Sequence, residues 1–196
     1  TYPFVTSSNT VSGNACCGAG VGPKAINGVI GIVKAYTTRV GAGPFVSELF
    51  DDIGDAIQKK GAEFGATTGR RRRCGWLDTV LLNNSVRLNG LTGLAITKLD
   101  VLGGLDELKI CTGYRLDGEE LPAFPASLDL LAKCEPIYET WPGWQEEISH
   151  IREFAALPEN AKAYLNRIVE LTGVPHQIVS VGPGREETIV MENPFG

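Results

Sequence analysis

The sequence predicts an α/β fold in which a mainly parallel central sheet is flanked by helices. Helical apolar spacing alternates with short β-branched runs, several predicted helices carry start and stop signals, and glycine-rich turns follow predicted strands. With 196 residues, 43% of them hydrophobic and 21% charged, the chain can bury the core of one domain. No internal repeat or linker divides it.

Residues 5–22 are dominated by Thr, Ser, Asn, Gly and other small residues, which bury little surface and read as a loop packed near a ligand or another segment. From Pro23, the positions Ala25, Ile26, Val29, Ile30 and Val33 have helical spacing with proline at the start. Residues 34–40 (KAYTTRV) then turn β-branched and aromatic, as a strand does. Ser47 is predicted to cap a helix whose first turn carries Glu48, Asp51 and Asp52. Its inner face is Leu49, Ile53, Ala56 and Ile57, and Lys59, Lys60 and Gly61 end it. A second helix is predicted over 78–88, ending at Gly90, and strands follow at 94–97 and 107–114. Prolines 122, 125, 136 and 142 predict an irregular segment over 117–144, with one extended piece around 137–140. Pro158 and Glu159 open an amphipathic helix with the apolar face Ala161, Leu165, Ile168 and Leu171, closed by Gly173. Two short strands at 177–181 and 187–191 complete the fold.

A net charge of −5 argues against broad electrostatic binding to nucleic acid or an anionic membrane, because such partners require a basic face. No window approaches the length of a membrane span, and the first residues have neither a basic nor an apolar leader region. Cys16, Cys17, Cys74, Cys111 and Cys134 form no C-x-x-C pair and, with only His150 and His176, no zinc pattern. Free thiols in a reducing compartment, the cytoplasm, fit this best. Both histidines are expected at the surface or at helix ends, and no Ser-His-Asp, Cys-His or G-x-x-x-x-G-K-[ST] arrangement is present. The chain begins without Met inside a hydroxyl-rich segment and reads as an excised fragment.

The chemistry concentrates in FGATTGRRRRCGW, residues 64–76. Four arginines alone read as a solvated basic run, or as a localisation or nucleic-acid patch. Here glycines 65, 69 and 75 permit close backbone approach, Thr67 and Thr68 offer hydroxyls, and guanidinium groups fork onto phosphate or carboxylate oxygens, which together describe an anion-binding loop. A second motif, ITKLD at 96–100, ends a predicted strand, where open α/β sheets bind ligands. Its spacing suits guanine: a carboxylate accepts from N1–H and the 2-amino group, and the lysine stem can lie along the base. The same residues also read as a strand followed by a polar turn. SVGPGR at 180–185 can border a flat ligand or simply connect a hairpin, and RVGAGPF at 39–45 again suggests close backbone approach.

Taken together with VTSSN at 5–9, KAYTTRVGAGPF at 34–45, EFGATTGRRRRCGW at 63–76, TKLDVL at 97–102 and EPIYET at 135–140, the chain resembles the adenylosuccinate synthetases in order and spacing. The resemblance runs the length of the chain and corresponds to the C-terminal half of that family's single α/β domain. It implies a purine-biosynthesis ligase: GTP phosphorylates the 6-oxygen of IMP, and the amine of L-aspartate displaces that phosphate to give adenylosuccinate, with Mg²⁺ bridging the charged groups.

Carried over residue by residue, Thr6, Val40 and Arg70 resemble IMP contacts, and Thr67, Thr68, Arg70 and Arg72 the aspartate-binding set. Arg72, Lys98, Leu99, Asp100, Ser180, Val181 and Gly182 resemble the GTP contacts. Arg71 and Arg73 receive no ligand and are expected to be structural or solvent-facing. The family's phosphate loop, catalytic aspartate, Mg²⁺ ligand and catalytic histidine lie in its N-terminal half. No catalytic or metal residue is therefore assigned here, the sheet is expected to be incomplete, and the isolated chain is expected to be inactive. The family is a homodimer whose partner arginine also belongs to that other half. Two further readings stand beside this one: a non-catalytic nucleotide- or anion-binding module, and an interaction protein with a basic recognition segment.

Overall fold

The computed structural model describes residues 9–67 and 69–193. In chain order the elements are α1 (Gly13–Ala19), β1 (Ile30–Lys34), β2 (Thr37–Arg39), α2 (Asp52–Lys60), β3 (Arg73–Gly75), β4 (Leu77–Asp78), α3 (Thr79–Asn89), β5 (Gly93–Thr97), β6 (Glu107–Leu116), β7 (Glu119–Glu120), α4 (Leu128–Leu131), β8 (Glu135–Pro142), α5 (Glu159–Thr172), β9 (His176–Ser180) and β10 (Thr188–Val190). One sheet has the order β1-β5-β9-β10, parallel across its first three strands, with β10 antiparallel at the edge. Leu94, Ala95 and Ile96 of the central β5 are all buried, as a strand covered on both faces requires. The predicted α/β class with a mainly parallel central sheet is therefore what the chain adopts.

A second sheet gathers around the ten-residue β6, which pairs with β4 in parallel and with β7 and β8 antiparallel. The β6–β7 hairpin turns through Asp117 (φ 52°) and Gly118 (φ 88°), the positive-φ pair that a tight two-residue connection demands. A two-stranded ribbon, β2 with β3, holds the arginine segment: Arg39 faces Arg73 and Thr37 faces Gly75.

Several helix ends follow local rules. Asp78 caps α3 by accepting from the Leu81 amide at 3.0 Å, and Gly90 closes it at φ 59°; Gly173 closes α5 at φ 67°. Other expectations are corrected. The predicted helix after Pro23 is a single 3₁₀ turn at Pro23–Ala25, and Ile30–Lys34 is a strand. Glycines at 28 and 31 among β-branched residues weaken a helix, while β5 supplies a complete parallel ladder. Helix α2 is capped by Asp51, whose side chain accepts from the Gly54 amide at 3.0 Å, and not by Ser47. Residues 47–49 are already paired with the arginine strand, Trp76 N to Ser47 O and Leu49 N to Cys74 O both at 3.0 Å, so Ser47 is fully buried as extended chain. Within 9–22, the expected loop contains α1, tied to the end of α3 by Ser12 Oγ donating to the Asn89 carbonyl at 2.7 Å. Over 117–144 the extended piece is a full eight-residue strand, with Pro136 and Pro142 near its ends.

The core runs continuously from Tyr36 and Ile57 through Leu94, Ile96, Leu99 and Leu102 to Leu108, Tyr164, Leu165 and Ile168. Tyr164 donates to the Ala35 carbonyl at 2.7 Å, which fixes the chain where it leaves β1 for the site. His176 departs from expectation: it is buried in β9 against Phe154, with ring centroids 5.1 Å apart, and burial lowers its pKa, whereas His150 is exposed as predicted.

Gly75 is where β3 presses most closely on its neighbours. A Cβ there would stand 2.2 Å from the Ser47 carbonyl oxygen and 2.8 Å from the Phe45 ring. Gly75→Ala is expected to cost ~1–3 kcal/mol or more of stability through overpacking, read as a lowered urea midpoint in the full-length protein. An unaltered midpoint would show that the strand can shift without cost.

Candidate functional site

Strands β1, β5 and β9 run parallel, so Lys34, Lys98 and Val181 emerge together at their carboxyl ends, where an open α/β sheet forms its ligand crevice. The arginine loop closes over this end. Its backbone folds back on itself through Arg72 N to Glu63 O at 2.9 Å, Gly65 N to Arg70 O at 2.8 Å and Gly69 N to Gly65 O at 2.8 Å, with Gly69 at φ 65°. Thr67 and Arg70 are exposed at the tip. Thr6 and Thr68 lie outside the described residues.

The arginines divide as the sequence suggested for two of them. Arg71 pairs with Asp55 of α2 at the surface. Arg73 forks onto Glu48, with Nε to Oε1 at 2.7 Å, and donates through Nη1 to the carbonyls of Gly41 at 3.1 Å and Gly43 at 2.8 Å. It therefore staples the 41–45 turn, next to which Val40 stands 67% exposed.

Arg72 turns inward to Glu63. Tyr36 donates to this fully buried carboxylate at 2.6 Å, Lys34 reaches both oxygens at 2.8 Å, Arg72 Nη1 reaches it at 2.9 Å, and Lys98 Nζ stands 3.5 Å away. Burial by itself would raise the Glu63 pKa. The hydrogen bonds from Lys34, Tyr36 and Arg72 outweigh it and hold the group down to about 2. The backbone of Glu63 is fastened as well, because Gln58 Nε2 donates to its carbonyl at 2.9 Å. Glu63 and Lys34 carry no obvious motif of their own. The available signals are Lys34, Tyr36 and Thr38 recurring on one face of an extended segment, and a glutamate opening the loop.

Lys98 adopts a left-handed conformation (φ 61°, ψ 33°) between β5 and the 3₁₀ turn Leu99–Leu102, and its ammonium also donates to the Gly61 carbonyl. Asp100 is half-buried; desolvation raises its pKa, opposed by Lys60 and Lys98. Leu99 and Val181 are fully buried in the core, so only their backbones are available to a ligand. Ser180 Oγ donates to the Gly182 carbonyl at 2.8 Å, and the 181–187 turn joins β9 to β10 as a hairpin. Among the described residues, no group of three or more His, Cys, Asp or Glu side chains could hold a metal ion, and no helix is long and apolar enough to cross a membrane.

Because the Glu63 pKa falls from an ordinary value near 4.5 to about 2 on folding, its contribution to stability is complete above about pH 4.5 and disappears as pH drops towards about 2. Replacing it by glutamine is expected to flatten the urea midpoint against pH over that window. A variant curve parallel to that of the wild type would contradict this.

The sequence profile of the adenylosuccinate synthetase family matches residues 1–189. The chain is 69% identical over 195 residues to an adenylosuccinate synthetase of Desulfatibacillum aliphaticivorans and 66% identical to one of Desulfosudis oleivorans, alignments that cover all of this chain but 45% and 46% of those proteins. The structure of fully ligated adenylosuccinate synthetase from Plasmodium falciparum superposes with a TM-score of 0.93 at 43% identity, over 97% of this chain and 46% of that one. The chain thus spans about half the length of the relatives it matches. It belongs, over nearly its whole extent, to the adenylosuccinate synthetase family.

Proposed function

We propose that the polypeptide containing this chain is a GTP-dependent ligase that joins IMP and L-aspartate to give adenylosuccinate, in the AMP branch of purine biosynthesis. This chain supplies the aspartate loop and the guanine-reading turn. The observation that carries the reading is that Arg72 of the anion-binding loop and Lys98 of the turn after β5 converge on one buried carboxylate at the ligand end of a parallel sheet.

In this reading Asp100 accepts from N1–H and the 2-amino group of guanine, which adenine cannot satisfy, while the backbone of Leu99, Val181 and Gly182, with Ser180, borders the base. The Lys98 ammonium is held by Gly61 and Glu63, which leaves its stem to lie along the ring. Thr67, Thr68, Arg70 and Arg72 hold the two carboxylates of aspartate; Thr6, Val40 and Arg70 hold IMP; and Arg72 also faces GTP. Fixed guanidinium groups are suited to this task, since a dicarboxylate and several phosphates repel one another in a pocket with little water. Residues of the rest of the polypeptide would hold Mg²⁺, which would offset the negative charge of the phosphates. The rest of the polypeptide would also extend the sheet at β1, whose outer edge presents Ile32 at 81% exposure. The working enzyme is a cytoplasmic homodimer.

In the full-length enzyme, Asp100→Asn is expected to lower kcat/KM for GTP roughly ten- to a hundredfold and to shift preference away from guanine, as loss of one two-point base contact would. GTP dependence that survives unaltered would remove the guanine assignment and favour a binding module without base selectivity. The isolated chain, given IMP, GTP, aspartate and Mg²⁺, is expected to form no adenylosuccinate; measurable product would refute the assignment of the chemistry to the other half.

A further inference from the structure

We infer that Glu63 is a positioning residue that sets the spacing between the arginine loop and the turn after β5, and so couples the aspartate and GTP subsites. The inference rests on the reading of those two segments given above.

Three cations from three separate segments meet this one carboxylate: Lys34 at the end of β1, Arg72 in the loop and Lys98 after β5. The Glu63 side chain is completely buried, whereas Lys34, Arg72 and Lys98 keep 24%, 32% and 36% of their side-chain surface open. The carboxylate is therefore a floor beneath the cations, and their free sides face outward to an incoming anion. Glu63 engages a single nitrogen of Arg72, Nη1, so the guanidinium plane is oriented while the rest of the fork can serve a ligand.

The floor is itself rigid. Tyr36 donates to it from the core at 2.6 Å, and the Glu63 backbone exchanges hydrogen bonds with Gln58, its amide to the Gln58 carbonyl and its carbonyl from Gln58 Nε2, both at 2.9 Å. Stability alone does not call for such an arrangement, because well-packed apolar residues often replace a buried ionic cluster without loss. What only the carboxylate provides is a fixed separation between cations that would otherwise repel each other.

Two accounts of Glu63 predict opposite signs. If it merely tempered the positive charge of the pocket, its removal would add one net positive charge and tighten the binding of anionic substrates. If it positions Arg72 and Lys98, removal weakens the two ligands those residues meet, despite the added charge. IMP is the control, since only Arg70 of its three contacts lies on the arginine loop, whereas Val40 adjoins the turn stapled by Arg73 and Thr6 belongs to a distant part of the sequence.

The test is steady-state kinetics of Glu63→Gln in the full-length enzyme. KM for GTP and for aspartate should each rise about tenfold, the loss typical of a charge-assisted hydrogen bond, while KM for IMP stays within about threefold. Unchanged or lowered KM for GTP and aspartate, or an equal rise for all three substrates, would overturn the inference. Should Glu63→Gln not fold, Tyr36→Phe decides: it leaves the charge in place but frees the carboxylate, and is expected to raise KM for GTP and aspartate about threefold together, whereas unchanged values sink the proposal. Asp100→Asn, run alongside, separates the two levels. A switch in base preference there, with Glu63→Gln silent, defeats only the positioning role; no switch defeats the functional reading beneath it.

Discussion

Withdrawing a carboxylate from water costs several kcal/mol unless charge and hydrogen bonds replace the lost hydration. Glu63 has no exposed side-chain surface, and the groups that compensate it come from the end of β1, the arginine loop and the turn after β5. The carboxylate can be buried only when all of these segments are in register, and the segments can hold their cations close together only when the carboxylate is present. Much else follows from that mutual requirement. The β2–β3 ribbon must bring Arg72 inward, Gly75 must let β3 press against Ser47, and Lys98 must turn back over Gly61.

The arginine run illustrates how four identical side chains acquire different roles from position alone. Alternation along an extended segment sends Arg71 and Arg73 to Asp55 and Glu48, while Arg72 points to the opposite side and Glu63. The run carries less free positive charge than its composition implies, because three of its members meet a carboxylate within the fold. This is how a chain of net charge −5 can carry four consecutive arginines without a generally basic surface.

What the sequence disclosed was what depends on near neighbours. Asp78 with Gly90, and Gly173 after an amphipathic run, are helix signals set within a few residues, and they marked α3 and α5 well. Residues 23–33 misled because a short apolar run has no period that distinguishes a buried strand from a helix, and β1 owes its form to β5, some sixty residues away. Ser47 misled for the same reason, since its backbone was already committed to Trp76. The arginine loop and the Lys98–Asp100 turn were legible as candidate ligand-binding motifs, because each is a local pattern. Glu63 was not, because four side chains spread from position 34 to position 98 define its environment, and no local pattern records their convergence.

Lys98, at φ 61°, sits in a sparsely populated conformation that persists only where its surroundings over-determine it, and here both ends are fixed, the main chain by the 3₁₀ turn and the ammonium by Gly61 and Glu63. The ordering of this turn is completed as the chain folds. The surface formed this way has little conformational entropy left to lose, so what the turn presents at the sheet's end is a fixed shape rather than a closing motion.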